Sequence, residues 1–251
     1  MSDVAQKVDV ICLFPQIIES VISCGVTGGA VEKKLLEVKC WNPRDYTEDR
    51  HRTVDDKPYG GGPGMVLMAK PLSATLEQIK KQTGATSTVI YMSPQGQAVT
   101  QPMLQGIINT RKVIIIAGRY EGIDERFIDA EVDEEWSLGD YVLSGGELAA
   151  AVVIDAIARL LPGAVGDSES IQQDSFMQGL LDYPQYSRPK EFQGREIPKV
   201  LLSGDHEAIR RWRLQQSLIR TFKRRPDLLQ MYNMNAEEQG LLDEFLANEG
   251  K

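Results

Sequence analysis

Three short stretches of this chain join glycine to polar or charged residues directly after apolar runs. They are Ser93-Pro94-Gln95-Gly96, Gly118-Arg119-Tyr120-Glu121-Gly122-Ile123-Asp124-Glu125-Arg126, and Leu138-Gly139-Asp140-Tyr141-Val142-Leu143-Ser144-Gly145-Gly146-Glu147. Glycine allows positive φ and close approach of the main chain to a ligand. Amides and carbonyls laid open in this way can match the polar edge of a heterocycle. The chemistry such loops serve is small-molecule binding at strand ends, where open α/β sheets hold their ligands. No G-x-G-x-x-G follows a strand and no G-x-x-x-x-G-K-[ST] occurs, which argues against a dinucleotide-binding or P-loop enzyme. The plain alternative is that these glycines only make tight turns. A fourth glycine-rich segment, Gly60-Gly61-Gly62-Pro63-Gly64, ends a charged loop from Asn42 and reads as either a ligand-approaching segment or a hinge.

The elements that would position these loops follow from the apolar pattern. Val113-Ile114-Ile115-Ile116-Ala117 is an unbroken, β-branched run, as expected of a strand buried on both faces of a parallel sheet. Strands are also expected at Lys7 to Phe14, Leu36 to Trp41, Met65 to Met68 and Thr88 to Met92, with the Ser93–Gly96 turn closing the last. Helices are expected at Gln16 to Ser23, Leu72 to Lys81, Thr100 to Asn109 and Leu148 to Leu161, and a short one follows the Gly118 turn. Alternating strands and helices with short links describe an α/β fold with a mostly parallel sheet. Pro162-Gly163 ends the last helix, Ala164 to Gln173 reads as a linker, and the remainder is helical at Asp205 to Arg225 and Ala236 to Asn248.

Composition narrows the class. The chain has 251 residues, 42% hydrophobic and 25% charged, with no apolar run long enough to span a membrane and no signal-peptide pattern at its start. A cytoplasmic location is expected. Cys12, Cys24 and Cys40 lack metal-type spacing, only His51 and His206 accompany them, and all three read as buried reduced thiols. A net charge of −8 argues against indiscriminate nucleic-acid binding. One helix departs from that balance: Arg210, Arg211, Arg213, Arg220, Lys223, Arg224 and Arg225 stand against only Asp205 and Glu207. Arg210, Arg213, Arg220 and Arg224 can share one face and track a phosphate backbone, or form a solvated charged surface.

GRYEGIDER followed by EEWSLGDYVLSGGE resembles the bacterial tRNA (guanine-N1)-methyltransferases, the TrmD type of the SPOUT methyltransferases. The likeness runs from Phe14 to about Leu229 and includes RDYTEDRHRTVDDKPYGGGPGM, IYMSPQGQ, the DSF at Asp174 to Phe176, and LLSGDHEAIRRWR. The resemblance implies that the three loops interlace as a deep trefoil knot holding S-adenosylmethionine. Its contacts fall on Tyr91, Pro94, Gly118, Tyr120, Glu121, Gly122, Leu138, Gly139, Tyr141, Leu143, Gly145 and Gly146. It further implies residues 1–162 as the knotted cofactor-binding domain, 163–174 as a flexible linker and 175–251 as a helical tRNA-binding domain. Ala149 stands where relatives often have proline and Gly29 where several have arginine; neither falls on a residue given a role.

The implied reaction is methylation of guanine N1 at the tRNA nucleotide 3′ of the anticodon. Neutral guanine N1 has no lone pair for attack, so its proton must leave, and the negative charge that reaches O6 calls for a cation or donor there. By resemblance Asp174 is the base and Arg159 supports that charge. Taken alone, Asp174 reads as a helix N-cap and Arg159 as a cation countering a helix dipole. A carboxylate near its ordinary pKa of about 3.9 is a weak base for this proton, so its surroundings must raise it or O6 must be polarised. The resemblance also implies a homodimer with active sites shared between subunits and a Mg2+ requirement, for which the sequence offers no ligand cluster. The rival readings are a SPOUT ribose 2′-O-methyltransferase and a non-catalytic RNA-binding module.

Overall fold

A computed structural model describes residues 6–83, 87–110, 112–166 and 174–249. The chain divides into two compact units, Met1–Ser168 and Glu169–Lys251. In the first, β1 (Gln6–Ile11), α1 (Pro15–Ile22), α2 (Gly25–Glu32) and β2 (Leu36–Trp41) are followed by a 3-10 turn at Pro43–Tyr46. Next come β3 (Asp55–Asp56), β4 (Val66–Leu67), α3 (Ala69–Thr83), β5 (Thr88–Ala98) and α4 (Gln101–Thr110). The unit closes with β6 (Lys112–Ala117), α5 (Glu125–Glu131), β7 (Glu134–Ser137) and α6 (Glu147–Leu160).

Five strands form a parallel sheet in the order β2-β1-β6-β5-β7. The expected α/β fold is therefore present, with β6 at its centre. The apolar run of β6 serves both faces: Val113, Ile115 and Ala117 join a core with Ile18, Leu104, Ile107 and the inner side of α6, while Ile114 and Ile116 join one with Leu72, Leu76, Ile79 and Phe127. Burying each large aliphatic side chain in such a core contributes about 1.5 to 3 kcal/mol. This is why α3 forms on its Leu72, Leu76, Ile79 spacing.

Two elements differ from the expectation. Gly25–Glu32 is helical although GVTGGAVE has poor intrinsic propensity. Packing overrides it: a Cβ on Gly28 would lie 2.9 Å from the carbonyl carbon of Ser23, and the Thr27 hydroxyl donates to Asp155 at 2.6 Å. Strand β5 does not end in a turn at Ser93. It continues to Ala98 through a register shift between Met92 and Gln97 against β7, a bulge rather than a turn. Gly96 permits it, since a Cβ there would lie 2.4 Å from the backbone of Glu135.

The cysteines also differ. Cys12 is buried and Cys40 half-buried, but Cys24 is exposed at the N-terminal side of α2. A hydrogen bond with Cys40, together with burial, holds the Cys12 thiol well above its usual range.

The second unit carries a two-stranded antiparallel ribbon, β8 (Glu191–Phe192) and β9 (Arg195–Glu196), and a 3-10 turn at Lys199–Leu202. Helices α7 (His206–Arg224), α8 (Pro226–Met231) and α9 (Ala236–Glu249) complete it. Asp205 caps α7 by accepting from the Glu207 and Ala208 amides at 3.1 and 3.0 Å, a contribution of about 1 kcal/mol. Leu180, Leu218 and Leu241 form its small core. Of the expected linker, residues 167–173 lie outside the described residues.

Candidate functional site: a glycine-walled cavity at the strand ends

The bulge of β5 and the C-terminal ends of β6 and β7 open onto one cavity of about 230 Å³, a size for a small molecule and not a polymer. Its walls include Tyr91, Pro94, Gly118, Tyr120, Glu121, Gly122, Leu138, Gly139, Tyr141, Leu143, Gly145 and Gly146. The fold thus brings together all twelve residues singled out for the cofactor. It adds several that were not, among them Met92, Gln95, Arg119, Trp136, Ser137, Ser144 and Ala149. Most of these are sequence neighbours of the twelve, and adjacency within the same loops was the signal that could have found them.

The main chain is stitched closely around this space. The Gly146 amide donates to the Gly118 carbonyl at 2.8 Å, and Arg119 and Gly145 form an antiparallel bridge. The loop after β6 is tied in turn to β4: Glu121 N to Met65 O is 2.9 Å, Leu67 N to Gly122 O is 3.0 Å and Asp124 N to Leu67 O is 3.0 Å. Glycine is sterically required at the seam. A Cβ on Gly146 would lie 2.8 Å from Ala117 Cα, and one on Gly118 would lie 2.7 Å from the Tyr91 ring. Tyr120 takes φ +63°, a left-handed conformation that costs a non-glycine residue roughly 1 to 2 kcal/mol and is found at ligand-holding loops.

Aromatic and apolar side chains complete the walls. Tyr91 is buried, and its phenol is pushed up to about 12 by that burial and by the carboxylates of Glu135 and Glu125. It is therefore a neutral hydroxyl at physiological pH. Helix α6 starts regularly at Glu147, with Ala150 N donating to Gly146 O at 2.8 Å. Ala149, in the first turn of that helix, lines the cavity.

Arg159 and Asp174 lie elsewhere in the chain. Arg159 is half-buried in the last turn of α6. At a rise of about 1.5 Å per residue it stands roughly 15 Å along the helix from Ala149. Asp174 is half-buried at a bend in the second unit, followed by a turn in which the Met177 amide donates to its carbonyl at 3.3 Å. An α-helix does not follow it, which removes the helix-cap reading. Among the described residues no group of three or more His, Cys, Asp or Glu could hold a metal ion.

The cationic surfaces are more self-contained than their sequence spacing implied. Arg210 binds both Glu207 and Glu237, at 2.7 and 2.6 Å, Arg211 reaches Glu244 at 3.3 Å, and Arg225 pairs with Asp227 at 2.6 Å. Arg213 lies over the Tyr183 ring at 4.8 Å, and Arg220 donates to the Asp182 carbonyl at 3.4 Å. A single open face of Arg210, Arg213, Arg220 and Arg224 is not what α7 presents; Lys223 lies over the Phe245 ring at 4.8 Å, and Arg224 at the helix end is exposed. In the 42–64 loop, Arg44 donates to the Arg52 carbonyl, and Arg52 pairs with Asp45 and donates to the Arg44 carbonyl.

A family profile, tRNA (Guanine-1)-methyltransferase TrmD, matches residues 6–231. A protein of Pseudomonas putida strain W619, called tRNA (guanine-N(1)-)-methyltransferase, is 58% identical over 240 residues, covering 96% of each chain. Proteins of the same name from Pseudomonas entomophila strain L48 and Stutzerimonas stutzeri strain A1501 are each 57% identical over the same share.

Proposed function

The chain belongs to the tRNA (guanine-1)-methyltransferase family, and on that premise we propose that the cavity at the β5 bulge and the ends of β6 and β7 is its S-adenosylmethionine site. The protein is an enzyme that transfers a methyl group to N1 of guanine in tRNA. The observation that carries the site assignment is the convergence of the β5 bulge and the two glycine-bearing loops after β6 and β7 on one small cavity. Its glycines at 118 and 146 cannot be enlarged without striking the backbone or the Tyr91 ring. These residues suit the donor: open amides and carbonyls can match an adenine edge, and Tyr91, Leu138 and Leu143 offer apolar surface. S-adenosylmethionine, when bound, supplies an electrophilic methyl group on a sulfonium.

The protein's own contribution is orientation and proton removal. Asp174 takes the N1 proton of guanine and Arg159 stabilises the negative charge that moves to O6. The target is the guanosine 3′-adjacent to the anticodon. Residues 1–162 form the knotted donor-binding domain, 163–174 link it to the rest, and 175–251 form the tRNA-binding domain. Among the described residues no cluster of His, Cys, Asp or Glu offers a site for the Mg2+ that the resemblance implies.

The enzyme works as a homodimer with active sites shared between subunits. Two observations support this. Leu148 and Val152, one turn apart on α6, are more than half exposed, an apolar stripe that a second copy would cover. Arg159, roughly 15 Å along the helix from the cavity wall, is better placed to serve a partner's cavity than its own. Among the described residues no helix is long and apolar enough to cross a membrane, and the enzyme acts where tRNA is, in the cytoplasm.

The test is methyl transfer to unmodified tRNA followed by nucleoside analysis. The expected product is 1-methylguanosine. A 2′-O-methylated ribose would select the rival reaction, and binding without transfer would select the RNA-binding module.

A further inference from the structure

Glu147 is the one acidic side chain of α6 that is completely buried, and it is held by a single cation. Arg119 Nε lies 2.9 and 3.1 Å from its two carboxylate oxygens, and Arg119 Nη1 donates to the Ser144 carbonyl at 3.4 Å. The guanidinium also stacks over the Phe14 ring at 4.4 Å. Gly145 packs against the pair, where a Cβ would lie 2.4 Å from Arg119 Nε and 2.7 Å from Glu147 Oε2. Arg119 belongs to the loop after β6, Ser144 and Gly145 to the loop before α6, and Glu147 is the first residue of α6. The pair therefore grips one wall of the cavity from the other.

We infer that the Arg119–Glu147 pair positions the methyl donor, by fixing the Ser144–Gly146 wall against the Gly118–Gly122 wall. The inference rests on the reading of this cavity as the S-adenosylmethionine site. A buried ion pair is seldom more stabilising than apolar side chains of like volume, but it holds one geometry. Here that geometry belongs to cavity-lining backbone and not to the general core. Arg119 and Glu147 are positioning residues, acting through the loops they join. With Gly145 packed against the pair, a side chain at that position would strike both partners.

The experiment uses full-length Arg119→Ala, Arg119→Lys and Glu147→Gln. Ligand-free hydrogen exchange is followed at Ser144 to Gly146 and at Val153 to Ala158, S-adenosylhomocysteine affinity is measured by calorimetry, and KM is measured for tRNA. Charge-assisted hydrogen bonds of this kind correspond to a loss of about 10- to 100-fold in affinity when broken. Arg119→Ala should show that loss, Arg119→Lys should recover part of it, and loop exchange should quicken while the α6 core stays protected. The tRNA KM should stay within about twofold of wild type, because the affected wall faces the donor. Affinity within about twofold of wild type in folded Arg119→Ala would overturn the inference. So would equal acceleration of exchange in loop and helix core, which would make the pair a general stabiliser. If Arg119→Ala does not fold, Arg119→Lys and Glu147→Gln decide by the same readouts. Absence of S-adenosylhomocysteine binding in wild type would instead overturn the cofactor reading itself, and the inference with it.

Discussion

The Gly146 amide donates to the Gly118 carbonyl at 2.8 Å, so the residue that opens α6 is bonded to the residue that closes β6. Twenty-seven intervening residues, including α5 and β7, leave from one side of this bond and return to the other. A methyl group at Gly146 would lie 2.8 Å from Ala117 Cα and 2.9 Å from the Gly118 amide nitrogen, and backbone cannot yield as a side chain can. Gly146→Ala is therefore expected to cost about 1 to 3 kcal/mol and to remove measurable S-adenosylmethionine binding. Thermal unfolding and calorimetry check both; wild-type affinity would mean the seam is not part of the donor site.

Asp174 lies in the second unit and the cavity in the first, which separates the two functions assigned to them. Asp174→Ala should abolish methyl transfer while S-adenosylmethionine affinity stays near wild type. Equal loss of both would assign Asp174 a structural part in its bend instead.

A shared active site makes a further prediction about mixtures. Chains carrying Asp174→Ala, mixed with chains carrying Gly145→Trp, should regain some activity through one intact composite site in each heterodimer. The Gly145→Trp chain has no donor site, since its new side chain would collide with Arg119 and Glu147. With subunit exchange verified by mass labels, no recovered activity would rule out sharing.

Much of this site was legible because each loop sits between an apolar run and a helix, and parallel sheets bring such strand ends together whatever lies between them. The β6 run admits one reading and found its place at the sheet centre. Helix α2 was not legible, because its glycines oppose helix locally and only the approach of Gly28 to Ser23 and the Thr27–Asp155 bond favour it. Nor was the bulge in β5: Ser93-Pro94-Gln95-Gly96 has the composition of a turn, and the neighbouring β7 makes it a continuation. The Arg119–Glu147 pair escaped because both residues stand in charge-rich strings 28 positions apart. Spacing along the chain likewise misread α7, whose arginines are engaged by carboxylates on α9 that no local pattern pairs with them.

Asp9 offers a test of electrostatics away from the site. It is buried in β1, accepts from Trp41 Nε1 at 2.6 Å, and its pKa is raised because burial outweighs that hydrogen bond and the nearby Lys39. A raised folded pKa means the native state binds the proton more tightly than the unfolded chain. The associated stability is complete below the unfolded value of about 3.9 and lost as pH rises through the folded value. Asp9→Asn keeps an acceptor for Trp41 without the charge, so it should raise Tm at neutral pH, and the gain should vanish below about pH 4. A lower Tm at every pH would show that the carboxylate is worth more to Trp41 than its burial costs.

The last prediction concerns how the second unit meets RNA. Phosphate contacts reveal themselves in the salt dependence of binding, each contributing about 0.7 to 0.9 to the slope of log affinity against log salt. Arg210 is a poor contributor, because Glu207 and Glu237 both neutralise it and a phosphate would have to displace one of them. Arg224, exposed in the last turn of α7, is better placed to release counterions. Arg224→Ala should weaken tRNA binding and flatten the slope by about 0.7 to 0.9, leaving S-adenosylmethionine affinity unchanged. Arg210→Ala should leave the slope near wild type and instead lower Tm slightly, since it frees Glu207 and Glu237 from their shared partner. Filter binding across a salt series distinguishes the two ends of the helix. A slope that falls with Arg210→Ala and holds in Arg224→Ala would place the RNA at the α9 side of α7 and overturn this assignment.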